Sequence, residues 1–363
     1  MVKRGRLNLG IILGISTIIM HFLAYFGWSE HIYTIYGNYI YPLIRYVYDF
    51  TFGYLPFPSV YIVVIFLFWV AIKSIKSIIV WIRQGFSAKT IQDNFFHCLH
   101  FVGCAYFLFY FLWAFNYYRP SFTEVYKLNE VDIDTSLIHK ELYNTTLKVN
   151  ELRISIQSDT FPHESAMEWS SLESVIRENQ TFVLQSLGFN TPGRVRIRKL
   201  KPNGTLLILS TAGVYIPFVC EGHIDGGLHR LQWPFTLAHE MAHGYGFTDE
   251  GECNFLGFLT CIKSNEKWIQ YSGYLSYWKY LYAHTKNEQN DVASAAYNQL
   301  HTGVKSDLKS IRSEMDKYPD VMPEIRDFIY DLYLKKHGVE DGLGSYDGII
   351  ELTIRWKNSG HSL

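Results

Sequence analysis

His239, Glu240 and His243 form an H-E-x-x-H pattern inside the apolar run 235–243, and residues of these types at this spacing suit one kind of chemistry. On a helix of 3.6 residues per turn the two histidines share a face, so both imidazoles can reach one metal ion. Glu240 then lies beside that ion. Zn2+ takes imidazole ligands and brings the pKa of bound water toward neutrality. A carboxylate in hydrogen-bond reach can accept the proton as the water attacks an amide carbonyl. The pattern therefore predicts zinc-dependent hydrolysis with Glu240 as general base. Its context predicts the helix this needs: Leu237, Ala238, Met241 and Ala242 favour helix, Pro234 suits a first turn, and Gly246 follows as a stop.

Two histidines leave a protein ligand to be found, and the acids just downstream are Asp249, Glu250 and Glu252. Asp249 stands where the H-E-x-x-H-x-x-G-x-x-[H/D] arrangement of metzincins has its third ligand. Those proteins also need a downstream methionine turn, and neither Met315 nor Met322 stands in one. Glu252 opens the apolar run 252–259, so it would project from the first turn of a second helix, as the glutamate of gluzincins does. The expected metal set is therefore His239, His243 and Glu252. Asp249 and Glu250 are read as turn and helix N-terminal charges. Tyr271, Tyr274 and Tyr346 are candidates for a donor that stabilises the oxyanion of an amide under attack, with His223, His229 and His284 behind them.

These residues need a scaffold, and composition shows that part of it is apolar. The chain has 363 residues, 48% of them hydrophobic and 17% aromatic, with a net charge of −1. Residues 9–28 are uncharged over a membrane-spanning length, follow Lys3, Arg4 and Arg6, and lack a small-residue cleavage site. Residues 57–72 and 95–118 are two further apolar runs, and Lys73, Lys76, Arg83 and Lys89 fall between them. By the positive-inside rule this predicts three transmembrane helices with a cytoplasmic N-terminus, a membrane domain over 1–119, and residues 120–363 outside. His21, His97 and His100 are read as packed residues of those helices. The zinc helix is flanked by charges and too short to span. The spans predict a lipid bilayer as partner and the zinc helix a peptide, while near-zero net charge argues against nucleic acid. The five cysteines suggest no disulfide framework.

The outer region predicts a mainly α, α+β domain with a small sheet. Asp134 is a candidate cap for a helix over 137–152, and 164–187 reads as a second helix. The alternation at 194–198 and the apolar run 205–210 predict strands. Residues 214–218, with Pro217, read as an edge strand, which in zincins is where substrate backbone pairs. Later helices are expected over 268–284, 291–317, 324–336 and 346–356.

The chain resembles an uncharacterised family of bacterial membrane-anchored, zincin-like proteins, a domain of unknown function. The resemblance runs through the three spans, the segment 113–120, Tyr215 to Phe218 with Glu221, the zinc helix with Glu252, Asn254 and Phe255, and Tyr271 to Tyr274 and Gly344 to Tyr346. It implies a gluzincin-like metallopeptidase domain of the cell envelope, anchored in the bacterial inner membrane and facing the periplasm, with glutamate at the Glu252 position. Cys253 and Gly244 depart from the pattern, where a small residue and glutamine are usual. Two other readings stay open: a non-catalytic zincin-fold peptide-binding or sensor module, and an amidase of cell-wall peptides. Glu240 favours catalysis over the first.

Overall fold

The computed structural model describes residues 4–84, 87–128, 133–156, 167–287, 291–321 and 348–361. Tyr346 and the helix expected over 324–336 lie outside the described residues. The chain divides into two compact units: Met1–Arg119 with Ile216–Glu221, and Pro120–Tyr215 with Gly222–Leu363.

The first unit is helical: α1 (Arg4–Leu23), α2 (Ser29–Ile35), α3 (Tyr41–Asp49), α4 (Val60–Gln84) and α5 (Ala88–Leu112). Three stretches are long and apolar enough to cross a membrane: Leu9–Tyr54, Val60–Arg83 and Ala88–Leu112. The second extends well past the expected 57–72, so Lys73, Lys76 and Arg83 belong to α4 itself. Long aliphatic stems let such residues sit near a helix end with the charge outside the apolar layer. α1 and α5 pack closely, and a Cβ built on Gly14 would lie 3.0 Å from the Gly103 Cα. His100 is part of that packing and accepts the Gly10 N–H at 3.0 Å on Nδ1.

Ile216–Glu221 forms a strap that belongs with these helices. Arg45 Nη1 donates to the Cys220 carbonyl at 2.6 Å, and Arg45 is ion-paired with Asp49. The Ser59 N–H donates to Glu221 Oε2 at 2.8 Å, and the Phe218 ring lies against Phe109. Tyr215 leads into the strap and Gly222 leads out, so its two ends are continuous with the strands described next.

The second unit holds α6 (Phe122–Val125), α7 (Thr135–Ser155), α8 (Trp169–Ser186), α9 (Trp233–Gly244), α10 (Glu250–Ile262), α11 (Lys267–Asn287), α12 (Val292–Gln299), α13 (Thr302–Met315) and α14 (Gly348–Asn358). Asp134 caps α7 by accepting the Leu137 N–H at 2.9 Å. A three-stranded sheet of β1 (Ile197–Leu200), β2 (Gly213–Ile216) and β3 (Glu221–Asp225) has the order β1-β3-β2, with β1 and β3 parallel. The central strand β3 is wholly buried.

The run 205–210 is not a strand. Buried Asp225 accepts N–H groups from Gly204 and Leu206 at 2.7 Å and from Leu207 at 3.3 Å, gathering the segment into a turn that no extended chain could make. Strand β2 stops at Ile216, and Pro217 begins a 3-10 turn (Pro217–Val219) instead of continuing the edge. The long helix expected over 291–317 is broken at Leu300, where α12 ends and His301 caps α13.

A single apolar core runs through this unit. Trp278, Tyr277, Phe255 and Phe258 sit at its centre, and the buried Trp278 indole donates to Thr146 Oγ1 at 2.9 Å. The ion pair of Arg153 with Asp307 (2.6 Å) joins α7 to α13.

Candidate metal centre

α9 and α10 pack side by side in this unit, and Gly257 lets them approach: a Cβ there would stand 3.3 Å from the His239 backbone nitrogen. On α9, His239 and His243 present their rings on one face, 4.9 Å apart and nearly perpendicular. Gly246, at φ +88°, turns the chain after α9 so that α10 returns alongside it.

Where α10 begins decides which acid meets the histidines. Asp249 is its N-cap and accepts the Glu252 N–H at 2.8 Å, so Glu250 is the first helical residue. Glu250 Oε2 lies 3.1 Å from His239 Nε2 and 3.7 Å from His243 Nε2. Glu252 is two residues on, about 200° around the helix. Its Oε1 accepts the Phe122 N–H. The carboxylate brought to the histidines is thus Glu250, and the expectation of Glu252 is corrected. An Asp-x-x-Glu pattern, here Asp249 and Glu252, is the usual sign of a capped helix start and would have placed Glu250 correctly.

His239, His243 and Glu250 are the one group of this kind among the described residues, their donor atoms all within 4.8 Å of one another. Both rings are held by their other nitrogen. His239 Nδ1 donates to Asn254 Oδ1 at 2.9 Å, and the Tyr280 hydroxyl donates to the same oxygen at 3.3 Å. His243 Nδ1 donates to the Phe247 carbonyl at 2.9 Å. These acceptors hold each ring by Nδ1 and leave Nε2 facing Glu250, the nitrogen a metal ion would take in place of its proton. Tetrahedral zinc with bonds near 2 Å keeps its ligand atoms about 3.3 Å apart, which the two carboxylate distances bracket. Two imidazoles and a carboxylate are also a common zinc set.

Glu240 is buried beside the cluster, and its Oε2 has no hydrogen-bond partner among the described residues. Burial pushes its carboxyl up to about 7, against the pull of His239 and His243. Burial alone would also raise Glu250, but His243 and His239 outweigh it and hold that carboxyl well below its usual range. Glu240 Oε1 rests over the backbone of β2: a Cβ on Gly213 would come within 2.5 Å of it. The buried Cys253 thiol, pushed up to about 12 by desolvation, touches His243 at Nδ1, 3.3 Å away, on the side turned from Glu250.

The other candidates fall elsewhere. Tyr271 is fully buried and donates its hydroxyl to Asp307 Oδ2 at 2.7 Å, so its role is to satisfy the Arg153–Asp307 pair. Tyr274 is half-buried with its ring edge-on to Phe258 at 5.2 Å. His229 caps the turn Arg230–Gln232 and bonds Ser310 Oγ at 3.1 Å, while His223 is buried in β3 and His284 lies on α11. Tyr280 and Asn254 are the functional contacts that sequence reasoning did not reach as such.

The profile of the family described as "Protein of unknown function (DUF3810)" matches residues 36–354. The chain belongs to this family. No curated protein and no solved structure matches it. The matched residues include the metal cluster and the strap, and the match carries no activity with it.

Proposed function

We propose that this chain is a membrane-anchored zinc peptidase, with His239, His243 and Glu250 as metal ligands and Glu240 as general base. The observation that carries this reading is the convergence of three donor atoms whose histidines are already oriented through Nδ1, next to a buried carboxylate with an unpaired oxygen. A structural ion pair would need neither the second histidine nor Glu240.

Bound zinc would act as a Lewis acid toward water and the scissile carbonyl. Glu240 would take the proton from that water on Oε2 and deliver it to the departing amine nitrogen. Strand β2, at the sheet edge, would receive an extended substrate by backbone pairing, with Gly213 keeping the floor beneath Glu240 flat. The apolar helices of the first unit suit anchorage in a bilayer and hence an envelope-protein or peptide substrate on the extracytoplasmic side.

Glu240→Gln keeps the shape of the side chain and removes the base. In the full chain solubilised in detergent and loaded with zinc, it should retain the metal and lose a factor of ~10² to 10⁴ in cleavage of a peptide library. Equal cleavage by both proteins would remove the peptidase mechanism.

A further inference from the structure

The stretch Leu9–Tyr54 has 46 residues, long for one crossing: at 1.5 Å per residue a straight helix would be about 70 Å long, against roughly 30 Å of hydrocarbon. It is not straight. Phe26 and Gly27 leave helical geometry, with Gly27 at φ +93°, so the axis of α1 ends there and a new one begins.

Residues 29–49 beyond the kink have two unlike faces. Ile32, Tyr36, Tyr41, Ile44 and Arg45 are buried. Ile35, Tyr39, Leu43, Val47 and Phe50, at steps of four or three, are each at least half exposed. The outward face carries no cation, and the charges of residues 29–49 are Glu30 and the buried Arg45–Asp49 pair. Five large apolar side chains in a row would be a poor surface in water.

The level of this segment is fixed by two helix ends. The Tyr36 hydroxyl donates to the Phe111 carbonyl at 2.9 Å, one residue before α5 stops at Leu112, and the Tyr36 ring lies edge-on to Phe115 at 5.4 Å. α1 ends at the same level, because His21 packs on Tyr110 at 4.3 Å. Both apolar helices therefore finish where residues 29–49 begin.

We propose that residues 29–49 form a helix lying flat in the headgroup region of the bilayer, with Ile35, Tyr39, Leu43 and Val47, and Phe50 at its C-cap, turned into the lipid. Its aromatic content fits that depth, where amphipathic rings are enriched. Interfacial helices usually carry lysine and arginine on the opposite face. Here protein covers that face, and Arg45 is turned inward to hold the Cys220 carbonyl of the strap.

The test uses the full chain with Cys98→Ser in nanodiscs of phosphatidylcholine and phosphatidylglycerol. Single cysteines replacing Ile35, Tyr39, Leu43 and Val47 in turn carry a nitroxide. Accessibility to oxygen and to a nickel chelate should place all four at one shallow depth, about 5–10 Å below the headgroup boundary, with oxygen favoured. A depth changing by about 6 Å per four-residue step would mean a crossing helix. Strong nickel access would mean a water-facing stripe, and low access to both reagents would mean cover by protein, including a second copy. Any of these three results overturns the proposal.

Discussion

Glu250 and Glu252 are the same residue type two positions apart, and the helix start separates their work. With Asp249 as cap, Glu250 faces α9 and Glu252 is committed to the Phe122 N–H. With the proposed ligand set, Glu250→Ala should release metal far more readily than Glu252→Ala. Changes to residues that merely orient a ligand typically cost 10–100-fold in affinity, so loss of a ligand should cost at least about 100-fold. Asn254→Ala, which removes the acceptor for His239 Nδ1, should fall in the 10–100-fold range. Metal analysis of the full-length variants after dialysis against a graded chelator checks the order, and a stronger effect at Glu252 would reinstate the other ligand set. The histidine pair was legible in the sequence because four residues along a helix is a local geometry. Tyr280 was not, because it reaches Asn254 from another helix, 26 residues away.

At the scale of elements, periodicity gave most helices and one capping residue, Asp134, outright. It failed where long-range polar contacts override local preference: nothing in the apolar run 205–210 signals that Asp225 will gather its N–H groups. The strap is of the same kind. Its Cys220 sits at φ +47°, an unusual conformation for a side-chain-bearing residue, and its carbonyl is held by an arginine 175 positions away. Arg45→Ala removes the cation paired with the buried Asp49 carboxylate, a kind of change that costs about 3–5 kcal/mol where it has been measured in other proteins. Thermal unfolding of the full chain in detergent should show that loss. The double change Arg45→Met with Asp49→Leu should recover most of it, because a buried ion pair and apolar residues of similar volume are often close in stability. Hydrogen exchange at the strap should stay fast in both variants, since neither can hold the Cys220 carbonyl. Normal exchange there in the double variant would show that Arg45 does not hold the strap.

For the whole molecule, the decisive relation is the direction of the apolar helices. Gly10 meets His100, Gly14 meets Gly103, and His21 meets Tyr110, so position increases together along α1 and α5 and the two run parallel. Parallel helices in one bilayer start on the same side. The start of α5, with Lys89, must then share a side with Lys3, Arg4 and Arg6 at the start of α1. α4 must return the chain to that side, which brings its C-terminal Lys76 and Arg83 there as well. The basic residues at the starts of α1 and α5 and at the end of α4 thus collect on one face, which by the positive-inside rule should be the cytoplasmic one. The metal cluster, which follows α5 in sequence, should accordingly lie on the opposite side. A reporter fused after Gln84 should be active only in the cytoplasm, and one fused at Leu363 only outside it. If both report the cytoplasm, α5 does not cross, and the candidate metal centre faces the cytoplasm.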